Sequence, residues 1–248
     1  ARRQRFIMSL PRLGVNIDHV ATVRNARGEN YPSPLRAALL VQKYGGNSVT
    51  IHLREDRRHI RDKDLEIIKK KIKIPLNLEI APTEEMLKIS LKNKPNFVCI
   101  VPEKRKEITT EGGLNLKKNI KVIKNIIKKL KSRKIRTSLF IEPDTEDIRI
   151  AKYIDADCIE IHTGKICKLF EKKKNTSKEF ARIKQAVSFA NMIGLEVHAG
   201  HGITFDSAKL LSKIKGISEF NIGHFIIGES IFIGIKDSIK QFKKIFKK

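Results

Sequence analysis

Histidines in this 248-residue sequence follow short apolar runs and are absent from the lysine-rich stretches between them. Each run is rich in Val, Ile and Leu, as buried parallel strands are. The seven histidines in or just after these runs are His19, His52, His59, His162, His198, His201 and His224. Because imidazole titrates near neutral pH, it suits general acid and general base roles. We therefore predict that the histidines gather at one site where protons are transferred.

Other polar side chains stand at the same kind of position, at or near the end of an apolar run. They are Asn16, Asp18, Arg54, Glu79, Glu160 and Asn221. A local hydrogen bond is the ordinary explanation for any single one of them. The whole collection is different, because burying many ionisable groups together is costly unless they act there. Burial in an apolar strand should also raise the pKa of Glu79 and let it exchange protons near neutral pH.

The elements that would position these groups alternate between strands and helices. The predicted strands span residues 13–17, 48–52, 76–80, 97–101, 137–141, 158–162, 195–199 and 220–222. Strands that alternate with helices indicate a parallel sheet, and eight such units in 248 residues fit one (β/α)8 barrel. We predict an α/β TIM barrel with extra helices, in which residues 1–248 form a single domain and residues 1–12 an extended N-terminal segment.

Helix start signals agree with this alternation. Ser33 before Pro34 is typical of an N-cap followed by proline in the first turn, and Gly45 would end that helix. Thr83 precedes two glutamates, which suit the positive end of a helix. These signals place the helices between the predicted strands, as the barrel requires.

The formal net charge of +25 would by itself suggest a nucleic acid or a membrane as partner. The lysines, however, recur within helical patterns such as residues 117–134, and aromatic residues that could stack on bases make up only 6%. No apolar stretch approaches 18 residues, and the three cysteines lack metal-ligand or CxxC spacing. We expect a cytoplasmic protein that binds neither nucleic acid nor membranes.

Seven motifs cover nearly the whole chain: GVNIDHVATVRNARG, HLREDRRHIRD, NLEIAPTEEML, VPEKRKEITTEGGL, IEIHTG, AGHGIT and NIGHFIIG. In this order and spacing they closely resemble the pyridoxine 5'-phosphate synthase family of vitamin B6 biosynthesis. The resemblance implies a barrel transferase that condenses 3-amino-2-oxopropyl phosphate with 1-deoxy-D-xylulose 5-phosphate. Its products would be pyridoxine 5'-phosphate, inorganic phosphate and water. The resemblance also implies a homo-octamer that uses no metal and no organic cofactor.

The resemblance assigns roles position by position. The general bases match His52 and Glu79, the general acid matches His201, and Glu160 matches a position that steadies charged intermediates. Contacts to the amino-ketone phosphate match Asn16, Arg27, Gly202, Gly223 and His224. Contacts to the deoxyxylulose phosphate match Asp18, His19, Arg54, His59 and Thr109.

Two separate phosphate sites are therefore expected at one mouth of the barrel. Gly202, Gly223 and His224 would build the first, helped by a helix that we expect to begin near Gly228. Glycines allow the backbone to approach an anion, and the N–H groups of a helix N-terminus attract one. Loops after the seventh and eighth strands are the usual phosphate position of such barrels.

The second phosphate site would combine Arg54, His59 and Thr109. Arginine can grip two phosphate oxygens at once. Structural ion pairs of Arg54 and His59 with the neighbouring Glu55 and Asp56 are the alternative explanation. Thr109 lies in residues 102–115, a polar stretch with two glycines that we expect to act as a lid.

Three other functions remain open at this point. A metal-dependent sugar-phosphate epimerase could use the same His, Asp and Glu side chains. An aldolase that forms a lysine imine could use Lys165, although this residue follows its strand in a lysine-rich stretch, where a solvated role is expected. A nucleic-acid-binding protein would use the basic surface, and its binding would depend strongly on salt.

Overall fold

The computed structural model describes residues 10–103 and 112–247, in which eight parallel strands close into a barrel. The strands are β1 (Arg12–Asn16), β2 (Ser48–His52), β3 (Leu76–Ile80), β4 (Phe97–Ile100), β5 (Arg136–Ile141), β6 (Cys158–His162), β7 (Glu196–Gly200) and β8 (Glu219–Ile222). Each strand pairs with the next along the chain, and β8 closes the barrel against β1. The predicted (β/α)8 barrel is confirmed, and every predicted strand end lies within one residue of the observed end.

Helices follow the strands, and two connections carry an additional one, as the prediction of extra helices requires. The described helices are α1 (Asp18–Arg27), α2 (Pro34–Lys43), α3 (Asp62–Lys71), α4 (Glu84–Asn93), α5 (Leu116–Lys131), α6 (Thr145–Tyr153), α7 (Gly164–Glu171), α8 (Ser177–Met192), α9 (Phe205–Leu211) and α10 (His224–Phe246). Ser33 caps α2 by accepting from the backbone of Arg36, and Thr83 caps α4. None of these helices is long and apolar enough to cross a membrane.

The main apolar core lies between the strands and the surrounding helices. In β3, Leu76, Leu78 and Ile80 belong to this core, whereas Asn77 and Glu79 alternate with them. Successive side chains of a strand point to opposite faces of the sheet, so one face of β3 packs against helices. The other face supplies polar groups to the inside of the barrel, where the Asn77 amide donates to Thr50.

Charged residues cluster inside the barrel at the amino ends of the strands. Arg12 pairs with Glu219 at 2.7 Å, and Arg136 pairs with Glu196 at 2.6 Å. His198 belongs to this cluster, because its Nε2 lies 2.9 Å from Glu196. The prediction that all seven histidines gather at one site is therefore wrong for His198. It lies two residues after Glu196 on the same face of β7, and so it faces the opposite end of the barrel.

Candidate active site

A cavity of about 280 Å³ opens at the carboxyl ends of the strands. Its lining residues are Asn16, Asp18, His19, His52, Arg54, His59, Glu79, Val101, Phe140, Glu160, His201, Gly202, Asn221, Gly223 and His224. Among the described residues to which the family resemblance assigns a role, this set contains all except Arg27. A wider groove adjoins the cavity and lies between α7 and the loops after β7 and β8. The barrel thus brings residues from all parts of the chain to one mouth.

The structure does not bring Arg27 to the cavity, and it does not describe Thr109. Arg27 lies in the last turn of α1, where it is exposed. Thr109 falls between residues 104 and 111, outside the described part of the chain, together with most of the predicted lid. The roles of both residues stay predictions.

Asp18 is held rigidly where β1 meets β2. Its Oδ2 accepts from the Asn16 amide at 2.9 Å, and its Oδ1 accepts from the backbone N–H of His52 at 2.9 Å. The backbone N–H of Asp18 in turn donates to the Asn16 side-chain oxygen at 2.8 Å. Burial raises the pKa of Asp18, although His52 and these hydrogen bonds oppose the rise. The carboxylate is therefore fixed in place by two strands.

His52 lies between two carboxyl groups whose pKa values shift in opposite directions. Its Nδ1 is 3.8 Å from Glu79, and its Nε2 is 3.3 Å from Glu103. Burial raises the pKa of Glu79 well above the ordinary value, and the nearby Glu160 and Asp18 raise it further. The predicted direction for Glu79 is thus confirmed. A carboxylate with a raised pKa beside an imidazole can pass a proton in either direction near neutral pH.

Glu103 enters the cavity region from the loop after β4, and the sequence offered no signal for it. Its side chain is 1% exposed, accepts from the backbone of Glu55 at 2.9 Å and lies 3.9 Å from Arg54. Burial raises its pKa, but His52 and Arg54 outweigh that effect and leave it below the ordinary value. Arg54 also lies 3.7 Å from Asp56, so the ion pairs considered from the sequence are present in part.

Asp18, His52 and Glu79 together could hold a metal ion, since one ligand atom from each lies within 4.8 Å of the others. Two carboxylates and one imidazole form a common ligand set for zinc or manganese. The same three groups, buried and hydrogen-bonded, also suit proton transfer. Geometry alone is compatible with both uses.

Glu160 is oriented by Asn221, a residue that the sequence placed at a strand end without a role. The Asn221 amide donates to Oε2 of Glu160 at 2.7 Å. Burial raises the pKa of Glu160 to about 7, and His198 and the Asn221 hydrogen bond limit the rise. Gly200 makes room for this carboxylate, because a Cβ there would lie 2.1 Å from Oε1 of Glu160.

His201 follows β7 with a left-handed backbone, at a φ of +79°. Its ring packs against Phe140 and against His162, whose ring centroids lie 6.5 and 5.0 Å away. Burial lowers the pKa of His201 to about 4, and the charges of His162 and Lys168 contribute. In this state the predicted general acid is therefore neutral at pH 7. Strained backbones of this kind persist where the surrounding structure demands them, often at functional sites.

Three further imidazoles line the wall next to α1. The His19 ring lies 5.1 Å from His224 and 5.8 Å from His59, and Nδ1 of His59 is 2.9 Å from the Thr22 hydroxyl. Burial lowers the pKa of His59 to about 4, with His19 contributing, and it also lowers the pKa of His19. A bound dianion would favour the protonated forms of these rings.

The helix N-terminus at this mouth does not begin where the sequence suggested. Gly223 is the N-cap of α10, which starts at His224, so the expected start near Gly228 is wrong. Glycine is tolerated inside a helix, and Gly228 lies there with open space around its Cα. Gly223 packs closely against Asn16: a Cβ added at Gly223 would lie only 3.1 Å from the Cβ of Asn16. The corrected start brings the N–H groups of α10 directly to the cavity.

Lys165 lies on α7, where its ammonium group pairs with Glu179 at 2.9 Å. Its side chain is 63% exposed, and it is absent from the cavity lining. A lysine that forms an imine needs a neutral amine, which desolvation would promote. The solvated role expected for Lys165 is consistent with this placement.

Comparison with known proteins gives one family. A model of the family described as pyridoxal phosphate biosynthesis protein PdxJ matches residues 13–248. Pyridoxine 5'-phosphate synthase of Pelagibacter ubique is 57% identical over 239 residues, which cover 96% of this chain and 100% of that protein. The protein of the same name from Zymomonas mobilis is 52% identical over 94% of this chain and 90% of its own length.

Solved structures with the same fold are much less similar in sequence. 3-Keto-L-gulonate-6-phosphate decarboxylase from Vibrio cholerae superimposes with a TM-score of 0.68 at 10% identity, covering 96% of this chain and 98% of that one. Phosphoribosylanthranilate isomerase from Thermotoga maritima gives a TM-score of 0.57 at 14% identity, covering 96% and 99%. At these identities the likeness shows the barrel fold alone.

Proposed function

The chain belongs to the PdxJ family of pyridoxal phosphate biosynthesis proteins, and from that premise we propose that it is a pyridoxine 5'-phosphate synthase. This enzyme condenses 3-amino-2-oxopropyl phosphate with 1-deoxy-D-xylulose 5-phosphate and closes the pyridine ring, with release of inorganic phosphate and water. The observation that carries the proposal is the cavity, whose lining unites the acid–base residues and the phosphate contacts that the family resemblance implies.

The two ends of the cavity offer different anion sites. On one side, Gly202 and Gly223 present backbone next to the N-terminus of α10. On the other side, Arg54, His59 and His19 offer a guanidinium and two imidazoles. We assign the amino-ketone phosphate to the first site and the deoxyxylulose phosphate to the second. Their carbon skeletons would then meet over the carboxylates and imidazoles in the middle.

Ring closure requires several proton transfers in one pocket, and the residues between the two anion sites suit them. The amine of the amino-ketone attacks the ketone of the sugar, so the nucleophile comes from the substrate and a protein lysine is unnecessary. Glu79 and His52 would take protons from carbon, and His201 would give a proton to each hydroxyl that leaves as water. Glu160, beside Asn221, would stabilise cationic imine intermediates.

A phosphate dianion bound at Gly202 would also raise the pKa of His201. The pKa of about 4 applies to the cavity without substrates. A dianion bound next to the ring favours the imidazolium form, so substrate binding would charge the general acid. The general acid would thus be protonated when the substrate phosphate is bound.

The test is to mix both phosphates with the purified protein in the presence of a chelator and to assay pyridoxine 5'-phosphate by mass spectrometry. We expect product under these conditions, formed about a hundredfold or more slowly by a Glu79→Gln variant. Failure to form product would refute the proposal. Activity lost on chelation and restored by a divalent ion at Asp18, His52 and Glu79 would instead favour a metal-dependent enzyme.

A further inference from the structure

Glu142, His162 and His201 lie in a row at the carboxyl ends of β5, β6 and β7. His201, at one end of this row, is the proposed general acid. Nδ1 of His162 lies 2.7 Å from Oε1 of Glu142, and the His162 ring centroid lies 5.0 Å from that of His201. His162 is absent from the lining of the cavity and stands behind His201. Neither His162 nor Glu142 has a role in the reaction described so far.

Glu142 is a fixed anion at the start of this row. The hydrogen bond from His162 lowers its pKa to about 2, burial opposes this, and Arg182 lowers it further from 3.3 Å. Its Oε1 also accepts from the backbone N–H of Gly113 at 3.3 Å. Because an ionised carboxylate can only accept hydrogen bonds, the shared proton sits on Nδ1 of His162. Nε2 is then the nitrogen that can gain or lose a proton.

Nε2 of His162 and the ring of His201 both lie next to Gly164, on the side where a side chain would project. A Cβ at Gly164 would lie 2.6 Å from Nε2 of His162 and 2.8 Å from Cδ2 of His201. The two rings therefore border the same small space, which any side chain at position 164 would fill. Phe140 closes this space on the cavity side, with its ring centroid 5.3 Å from that of His162.

We propose that His162 is the positioning and proton-exchange partner of His201, and that Glu142 holds it in the tautomer required. This inference rests on the proposed function. In each cycle His201 gives its proton to a hydroxyl that leaves as water. It then takes a proton from Nε2 of the His162 imidazolium, through one water or a small rotation of the ring. His162 recovers a proton from solvent, so protons balance and no redox partner is needed.

The charged groups around the row support a relay in this direction. The charged groups near the two rings are Glu142 from the loop after β5, Glu160 from β6, Lys168 from α7 and Arg182 from α8. Lys168 and His162 both lower the pKa of His201, whereas Glu142 favours a proton on His162. A phosphate dianion bound beside His201 would favour the protonated form of His201 and so draw the proton along the row from the side of Glu142 toward the cavity.

The test compares three variants in the synthase reaction. His162→Phe keeps a ring in the wall but removes both nitrogens. Glu142→Gln removes the anion, and Glu179→Gln is the matched control, because Glu179 also binds Arg182, through Arg182 Nε at 3.0 Å. The readouts are kcat, KM, the pH profile of kcat and the response to free imidazole in the buffer.

We expect His162→Phe to lower kcat about tenfold or more with little change in KM, a smaller loss than the hundredfold or more expected for a group that transfers protons to the substrate itself. Free imidazole should restore part of that kcat in proportion to its concentration, and it should leave the wild type unchanged. Glu142→Gln should move the alkaline limb of the kcat profile to lower pH, because a neutral amide no longer favours the proton on His162. Glu179→Gln should match the wild type in every readout.

Two results would overturn the inference while the wild type still forms pyridoxine 5'-phosphate. One is a wild-type kcat and pH profile in His162→Phe. The other is a loss of kcat in His162→Phe that imidazole does not restore, together with an unshifted alkaline limb in Glu142→Gln. That combination is expected if His162 only supports the structure around His201. Should His162→Phe fail to fold, His162→Gln takes its place with the same readouts. A wild type without product would refute the proposed function instead.

Discussion

At the scale of single residues, the environment gives identical side chains different protonation. Burial raises the pKa of Glu79 well above normal and that of Glu160 to about 7, whereas the partners of Glu142 hold its pKa at about 2. Burial lowers the pKa of both His59 and His201 to about 4. Carboxyls with raised pKa values and imidazoles with lowered pKa values line one cavity, an arrangement that suits acid–base chemistry near neutral pH.

Replacing Glu79 by Gln or His201 by Ala should lower turnover about a hundredfold or more, because each proposed role is a proton transfer. Thermal unfolding should change little, since neither side chain belongs to the apolar core. Steady-state kinetics and a thermal melt of each variant provide the measurement. Near-normal turnover in both variants would contradict the assignment.

The raised pKa of Glu160 predicts a pH dependence of stability. The folded protein binds this proton up to about pH 7, whereas an unfolded chain releases it near pH 4.5, the ordinary pKa of a glutamate. Stability contributed by the protonated form is therefore complete below pH 4.5 and is lost as pH rises toward 7. Relative to Glu160→Gln, the wild type should lose on the order of 2 kcal/mol across this window. Urea unfolding at several pH values measures it, and parallel curves would contradict it.

At the scale of elements, the strands could be predicted closely, because short runs of β-branched residues between turn residues are typical of strands and of few other structures. The start of α10 could not be predicted from its glycines, because a glycine is found both at helix ends and where the backbone packs closely against a neighbour. The contact of Gly223 with Asn16 shows which glycine precedes the helix, and it depends on the fold. The contacts of Asn221 with Glu160 and of His162 with Glu142 join residues 61 and 20 positions apart. Such contacts depend on barrel closure, so no local pattern reveals them.

A side chain at Gly200 should displace Glu160, because a Cβ there would lie 2.1 Å from Oε1 of Glu160. Gly200→Ala should lower the free energy of unfolding by about 1–3 kcal/mol and reduce kcat, since Glu160 must move. Gly228→Ala is the matched control: it lies inside α10 with nothing within 4 Å of an added Cβ, and alanine favours the helix. Chemical denaturation compares the two, and equal stability of both variants would contradict the close fit at Gly200.

At the scale of the whole molecule, the two ends of the barrel serve different purposes. The amino end is closed by ion pairs of Arg12 and Arg136 with Glu219 and Glu196, and the carboxyl end opens into the cavity. This division follows the general rule for (β/α)8 enzymes, in which one end stabilises the fold and the other holds the chemistry. The high net charge of +25 lies mostly on the helices, so it says little about the reaction.

The family resemblance implies a homo-octamer, which requires that part of the outer surface of the barrel contacts other subunits. Ile231 and Phe232 on α10 are 74% and 83% exposed, and large apolar side chains this exposed are typical of contacts between subunits. Light scattering should give about eight times the chain mass of 28.4 kDa, and Phe232→Lys should yield smaller species. A monomer at micromolar concentration would contradict the prediction.

The central claim is that one mouth holds two phosphorylated substrates with the acid–base groups between them. A crystal structure with bound phosphate or a substrate analogue tests it most directly. We predict one anion within hydrogen-bonding distance of the Gly223 backbone, at the N-terminus of α10, and a second on the Arg54 side chain. Anions found only on the lysine-rich helices, with neither position occupied, would contradict the account.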